Sequence, residues 1–388
     1  MFSKRSTVII FLSVLFLPFI LSSLNIPALF VTKANKENRS LAKAPEININ
    51  ILDRYPSQYS DYYNDQFPFR DALVEAYGYI KTRCFNESPI PDRVVIGKED
   101  WLYYSEGEMK LYNGTKRLSD SSLNLYVDEF KRREKYLKER NCSMYIYIVP
   151  AKLVVYPEYF GKDIKRYNKQ PEGEQLAEYV KKHSDVHITY LLSTLLKAKN
   201  ANSPLLYYKT DTHWSDYGSF VGYTEIMRQL SPTFSNLKIL TEKDMAASDT
   251  DYDSGNLSVM MHVQNYFIEK RHSMYPKKRL AVIAPNQNYP PPDDFAYPWQ
   301  FQRNTPDTTL ARALIIGDSF MIATMGFLAE SFSHATFIFD AWKYKLNENI
   351  VEKEKPNVVI YILWEPELEK ISKNPIQDTL SPLHWNNL

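Results

Sequence analysis

The sequence predicts an α/β protein: a parallel sheet with helices on both faces. Three observations predict it. Short apolar runs alternate with helical stretches from about residue 121 to residue 363, the pattern of βα units. One of those runs, Leu314 to Ile316, stops at Gly317-Asp318-Ser319 and passes directly into the apolar helical stretch from Phe320 to Leu328. The composition is that of a globular chain: 388 residues, 44% hydrophobic, formal charge +1. This leaves ample core and none of the excess charge that would suggest a nucleic-acid partner. Tyr is abundant at 29, with 6 Trp and 20 Phe; these rings suit sugar-stacking surfaces, but equally core and strand positions, so they name no ligand.

The elements follow in order. After Lys4 and Arg5, the eighteen residues from Thr7 to Leu24 carry no charge, and Asn25 is the only strongly polar residue before Phe30. Residues 1–30 are therefore expected to be a signal anchor that spans a bilayer. A cleaved signal peptide is the competing reading, although its apolar region would be shorter and no small-x-small site follows. Lys33, Lys36, Arg39 and Lys43 lie after the segment, so the charge bias for orientation is weak. The short N-terminal tail is expected to stay inside while the large domain is exported. Residues 31–50, polar and helix-poor, read as a tether.

Residues 51–120 read as an N-terminal element packed on the main domain, with a helix from Asp71 to Ile80 and a turn entering a strand from Gly97 to Tyr104. The main domain is expected over residues 121–388. It opens with a long amphipathic helix from Ser121 to about Arg140, followed by a buried strand from Met144 to Val149 that Pro150 ends. Further strands are expected at Val186–Tyr190, Leu205–Tyr208, Leu280–Ile283, Ala313–Ile316, Ala335–Phe339 and Val358–Leu363, with helices near 172–183, 217–230 and 320–331. Residues 284–308, rich in proline, form a long insertion that either lines a site or is a surface loop. The two cysteines, Cys84 and Cys142, are either one disulfide worth about 4 kcal/mol in an exported domain or two separate small core residues. No Cys/His cluster has metal-ligand spacing, so neither metal nor cofactor is expected.

Chemistry concentrates in two segments. Thr210-Asp211-Thr212-His213-Trp214-Ser215 supplies a carboxylate and an imidazole two residues apart, which an extended backbone would point to one side. Ser319 stands at the strand-to-helix turn, where backbone N–H groups can bind an oxyanion and Gly317 gives the freedom for a sharp turn. Serine, histidine and carboxylate are the parts of an acyl-transfer nucleophile. Each segment alone has a plain structural reading, a helix cap for Gly-Asp-Ser and a bonded loop pair for Asp-x-His; together on an α/β chain they point to catalysis. Trp214 either walls the cleft or stacks on a sugar.

Asp211-Thr212-His213-Trp214 followed by Gly317-Asp318-Ser319-Phe320 resembles the SGNH hydrolase-like domain of the alginate O-acetyltransferases AlgJ and AlgX, the DHHW-type proteins. Other segments agree: Glu37 to Ala42 with Pro45, Asn64 to Arg70, Gly97 to Tyr104, and Pro150-Ala151-Lys152 to Tyr156-Pro157-Glu158. The resemblance implies a three-layer α/β/α domain whose catalytic motifs are permuted, with the histidine segment before the serine. It further implies acetyl transfer onto an exported polysaccharide, with a membrane-bound O-acyltransferase as the partner that supplies acetyl. Ser319 would be the nucleophile, His213 its base and Asp211 the orienting carboxylate. The chain departs from the pattern at Asn256, where an acidic residue is expected; an asparagine there can donate to an oxyanion or make a turn. Glu365 also lacks the expected nearby arginine. The chain's end leaves no room for the carbohydrate-binding module of AlgX, so the layout is expected to be closer to AlgJ. Two other readings stay open: an acetyl esterase of the same fold, in which water replaces the sugar, and a non-catalytic tethered partner of a polysaccharide export complex.

Overall fold

The computed structural model describes residues 4–23, 41–47, 49–161, 164–253, 255–284, 289, 299–340 and 343–373. The first helix, α1 (Lys4–Ser23), covers most of the apolar N-terminal segment; residues 24–30 and most of the expected tether lie outside the described residues. Among the described residues no helix is long and apolar enough to cross a membrane.

Before the main sheet come α2 (Tyr55–Asp65), α3 (Arg70–Tyr79), the hairpin β1 (Val94–Ile96) and β2 (Leu102–Tyr104), and α4 (Ser105–Asn113). Trp101 and Tyr103 are fully buried in the same apolar cluster as one face of the main sheet. The Leu102 N–H donates to the Lys209 carbonyl at 2.9 Å, so the residues around this hairpin brace the segment that carries Asp211.

The chain then continues through α5 (Asp120–Lys138), β3 (Ser143–Val149), α6 (Lys152–Val155), α7 (Glu172–His183), β4 (His187–Tyr190), α8 (Leu192–Ala198) and α9 (Asp216–Leu230). After these come β5 (Met245–Tyr252), α10 (Asn256–Met260), β6 (Glu269–Pro276), β7 (Val282–Ile283), β8 (Gln300–Asn304), β9 (Arg312–Gly317) and α11 (Ser319–Leu328). The last elements are β10 (His334–Phe339), α12 (Glu348–Glu354), β11 (Val358–Trp364) and α13 (Leu368–Lys373). The seven-stranded sheet runs β4-β3-β11-β9-β10-β8-β7. Its first five strands are parallel, and β8 and β7 add antiparallel to one edge.

Side chains in the sheet alternate between two cores, as the period of two requires. Val358, Ile360 and Ile362 of β11 join the cluster containing α9 and α11, whereas Val359, Tyr361 and Leu363 join the cluster containing α5, α7 and α12. β3 divides the same way, with Tyr145, Tyr147 and Val149 on one face and Met144, Ile146 and Ile148 on the other. Two apolar faces need two helical layers, and the three-layer α/β/α arrangement follows.

The structure differs from the sequence reading at several elements. Leu205–Tyr208 is not a sheet strand; its only bridge is Tyr207 to Trp214, within its own loop. Leu280–Ile283 shrinks to the two-residue edge strand β7. Part of the expected insertion, Gln300–Asn304, is strand β8, while 285–288 and 290–298 lie outside the described residues. The β5–β6 pair, in register from Met245↔Pro276 to Tyr252↔Glu269, was not foreseen. Cys84 is exposed and Cys142 buried, and both are free thiols.

Candidate active site

Residues 205–215 form a loop that closes on itself. The Tyr208 N–H donates to the His213 carbonyl at 3.3 Å, and the Ser215 N–H to the Leu206 carbonyl at 2.8 Å. Ser215 then caps α9 by accepting from the Gly218 N–H at 3.0 Å. Asp211 and His213 therefore meet in a turn, not in an extended segment. Asp211 Oδ1 accepts the His213 backbone N–H at 2.9 Å and faces His213 Nδ1 at 2.6 Å. Asp211 Oδ2 accepts the Tyr252 hydroxyl at 3.1 Å and the Asn256 N–H at 2.9 Å.

On its other side the imidazole reaches the serine: His213 Nε2 lies 2.7 Å from Ser319 Oγ. The structure thus brings together Asp211, His213 and Ser319, which the sequence separates by about a hundred residues. His213 is 28% exposed and Ser319 half-buried, so the relay opens to solvent while Asp211 is buried. Burial opposes ionisation of Asp211, yet the adjacent His213 charge and the donated hydrogen bonds outweigh it and hold the carboxyl well below the usual carboxylate range. Burial likewise lowers the His213 pKa, but the Asp211 carboxylate overcomes it, and the net displacement is upward from 6.5. An ionised carboxylate accepting from Nδ1 leaves Nε2 as the acceptor for the serine hydroxyl, the tautomer a general base requires.

Ser319 opens α11 immediately after β9. Gly317 does not have a positive φ; its constraint is space, since a Cβ there would sit 2.7 Å from Met321 Cβ and 2.8 Å from the Ile362 carbonyl oxygen. Asp318 is buried and caps the helix by accepting the Phe320 N–H at 2.8 Å. Its other oxygen accepts the Tyr344 hydroxyl at 2.5 Å and the Trp364 N–H at 2.8 Å. Burial pushes its pKa up to about 6 against those bonds. Backbone N–H groups of this turn were expected to bind an oxyanion; those of Phe320 and Met321 are directed to the Asp318 carboxylate and carbonyl.

Two further candidates take different roles. Asn256 lies beside the pair, but its side-chain carbonyl accepts the Thr212 N–H at 2.9 Å and its amide donates to Thr212 Oγ1 at 2.8 Å. It braces the loop; an oxyanion role is not what this geometry fits. Trp214 is fully buried, donates its indole N–H to the Phe320 carbonyl at 3.2 Å and packs on the Phe320 ring. It is core, and a sugar cannot stack on it.

Other residues escaped the sequence reading. Tyr252 and Glu269 are the last register pair of β5–β6. Tyr252 holds Asp211, while Glu269 accepts the Lys209 and Thr210 N–H groups at 2.7 and 2.8 Å. Gly255 lies so close to Thr210 that a Cβ would sit 2.1 Å from its Oγ1. Glu365, buried at the end of β11, accepts the Ala151 and Gly173 N–H groups and the Tyr190 hydroxyl at 2.9–3.0 Å. With those partners it needs no arginine. Lys152 stood in a segment noted only for its resemblance; position alone gave no sign that it is buried.

Residues 94–286 match the SGNH hydrolase-like domain of the acetyltransferase AlgX. That segment is similar to the AlgJ/AlgX type. It is 28% identical over 170 residues to the probable alginate O-acetylase AlgJ of Pseudomonas syringae pv. tomato, covering 42% of this chain and 40% of that one. The AlgJ of Pseudomonas fluorescens is 25% identical over 240 residues, covering 58% and 55%. The chain thus spans about half, or less, of the length of these curated relatives. Among solved structures, Bacillus cereus PatB1 with a sulfonyl adduct superposes with a TM-score of 0.51 at 19% identity, covering 71% of this chain and 97% of that one. At that identity the likeness shows the α/β fold alone. The family match contains Asp211, His213, Tyr252 and Asn256 but ends before Ser319. The geometry, independently of the match, joins the serine to the site.

Proposed function

We propose that this protein is an O-acetyltransferase that moves acetyl groups onto an exported polysaccharide through an acetyl-serine at Ser319. The observation that carries the proposal is the continuous relay Asp211–His213–Ser319, with contacts of 2.6 and 2.7 Å. The similarity to alginate O-acetylases supports the choice of acetyl group and of a polysaccharide acceptor. In this scheme Ser319 Oγ attacks the carbonyl carbon of an acetyl donor as His213 Nε2 takes its proton, and Asp211 stabilises the imidazolium. The tetrahedral intermediate expels the donor's alcohol, which receives that proton from His213. A sugar hydroxyl then gives its proton to Nε2 and attacks the acetyl-serine, and collapse releases the acetylated sugar and restores the serine hydroxyl. If water replaces the sugar, the same intermediate gives an esterase. A catalytically silent export partner would have no need of all three groups in register.

Because Asp211 and His213 precede Ser319 in the chain, the motif order is permuted relative to SGNH hydrolases, in which the serine comes first. The uncharged stretch from Thr7 to Leu24, largely within α1, supports a single N-terminal anchor in the inner membrane with the domain on the periplasmic side. A membrane-bound O-acyltransferase would then supply the acetyl group. The decisive test measures polymer acetylation in cells carrying Ser319→Ala, His213→Ala or Asp211→Asn at wild-type protein level. Normal acetylation by all three, with no esterase activity in the purified chain, sinks the catalytic reading. A mature N-terminus between residues 24 and 45 would replace the anchor by a cleaved signal peptide.

A further inference from the structure

Lys152 is a charged side chain where none would be expected. It is 0% exposed, at the first residue of α6, three residues past the end of β3. Its Nζ donates to three backbone carbonyls: Tyr208 at 3.2 Å, Lys209 at 3.1 Å and Asp211 at 2.7 Å. An ammonium has three N–H donors and no acceptor, and here all three are matched. Those carbonyls belong to the loop whose next groups are the Asp211 carboxylate and His213. The rest of the pocket is equally specific. The rings of Trp101 and Tyr103 lie 5.8 and 5.3 Å from the ammonium. Glu108 on α4, fully buried, accepts the N–H of the neighbouring Leu153 at 2.7 Å and exerts the strongest attraction on the ammonium. Glu269 from β6 and Asp211 from the loop add weaker attraction, the ammonium in turn opposes protonation of His213, and the Glu365 carboxylate faces Glu108.

We propose that Lys152 is a positioning residue of the active site: its charged ammonium pins the Tyr208–Asp211 backbone so that the Asp211 carboxylate meets His213, with buried Glu108 as the counter-charge that keeps it charged. A neutral amine has two N–H donors and a lone pair, so losing the proton turns a lone pair against a carbonyl and frees one of the three anchors. Burial acts in the same sense, pushing the Lys152 pKa down from 10.5 while Glu108 pulls it back up, and pushing the Glu108 pKa up from 4.5. Activity therefore has an alkaline limb set by Lys152, distinct from the acid limb of His213. Because the ammonium touches the loop and not the substrate, the effect falls on kcat and leaves KM unchanged.

The proposal rests on the acetyl-serine reading, and its test separates the two. The full chain is assayed in detergent with 4-nitrophenyl acetate from pH 6 to 10, spontaneous hydrolysis subtracted, for wild type, Ser319→Ala, Glu108→Gln and Lys152→Met. Glu108→Gln keeps an oxygen for the Leu153 N–H but removes the counter-charge. It is expected to hold its plateau kcat within about two-fold while its alkaline limb moves roughly one to two pH units lower. Lys152→Met is expected to lose kcat at least about 100-fold at constant KM, with no alkaline limb. A Glu108→Gln limb at the wild-type position overturns the proposal, as does a folded Lys152→Met with wild-type kcat. If Lys152→Met does not fold, the Glu108→Gln profile alone decides. Full activity in Ser319→Ala sinks the acetyl-serine reading itself, whereas an unmoved limb with Ser319 essential sinks only the role of Lys152.

Discussion

Replacing Asp211 by Asn tests how the site is held as well as what it does. The carboxylate has two oxygens and four donors, two on each: the His213 N–H and Nδ1 on one, the Tyr252 hydroxyl and Asn256 N–H on the other. An amide keeps one oxygen and turns an NH2 toward one of these pairs. The tolerable orientation faces Tyr252, whose hydroxyl can rotate to accept, leaving the Asn256 N–H unmatched at a cost of roughly 1–3 kcal/mol. In that orientation His213 keeps its tautomer but loses the charge that stabilises the imidazolium. In the other, the amide donates to Nδ1 and reverses the tautomer. Either way the rate should fall about 10²–10⁴-fold, equivalent to roughly 3–5.5 kcal/mol of transition-state stabilisation. The pH profile supplies an independent sign. Asp211 is what raises the His213 pKa above 6.5 against burial. The wild-type acid limb should therefore lie above 6.5, and the variant's should move to lower pH, since only the weaker pull of Asp318 then opposes burial. Steady-state hydrolysis of a chromogenic acetyl ester by the full chain reads both. A variant within ten-fold of wild-type kcat, with an unmoved acid limb, would refute the assignment of Asp211.

Three other substitutions probe the frame. Tyr252→Phe removes one donor from Asp211 while the Asn256 N–H remains, so kcat should drop by a factor of about 3 to 30 with little change in melting temperature; a wild-type rate would make that hydroxyl incidental. Gly317→Ala drives a methyl into Met321 and the Ile362 carbonyl oxygen, so thermal unfolding should reveal a loss of about 1–3 kcal/mol together with reduced activity; an unshifted melting temperature would mean the strand-to-helix turn has slack. Trp214→Phe deletes the bond to the Phe320 carbonyl and leaves a partly filled space. It should destabilise by about 1–4 kcal/mol in denaturant titrations, with KM for an oligosaccharide acceptor unchanged, and a raised KM would restore the sugar-stacking role.

The central sheet was legible because its strands are continuous apolar runs, which only a strand buried on both faces needs. Met144 to Val149, Ala313 to Ile316 and Val358 to Leu363 all appear as strands within a residue or two. The β5–β6 pair was not legible. Its sequence, Met-Ala-Ala-Ser-Asp-Thr-Asp-Tyr, has no apolar alternation because most of that strand is solvent-exposed. Its function lies at one end, where Tyr252 and Glu269 meet the 209–211 backbone. Leu205–Tyr208 misled for the converse reason. Leu206, Tyr207 and Tyr208 are buried, but in a loop that folds on Trp214 and sends the Tyr207 hydroxyl to the Pro150 carbonyl at 2.5 Å. Asp211, His213 and Ser319 could be read because their chemistry is rare in combination. Lys152 and Glu108 could not, since a lone lysine and a lone glutamate usually mark a wet surface.

The acetyl-transfer mechanism requires that Ser319 become acetylated during turnover. The direct measurement incubates the full chain with an activated acetyl ester, quenches in acid, and maps the acetyl group by peptide mass spectrometry. We expect it on the peptide bearing Ser319 in wild type, discharged on adding an oligosaccharide acceptor with matching acetylation of the sugar, and missing in Ser319→Ala. Turnover to acetylated sugar at the wild-type rate with no acetyl on Ser319, or in the Ser319→Ala chain, would contradict it.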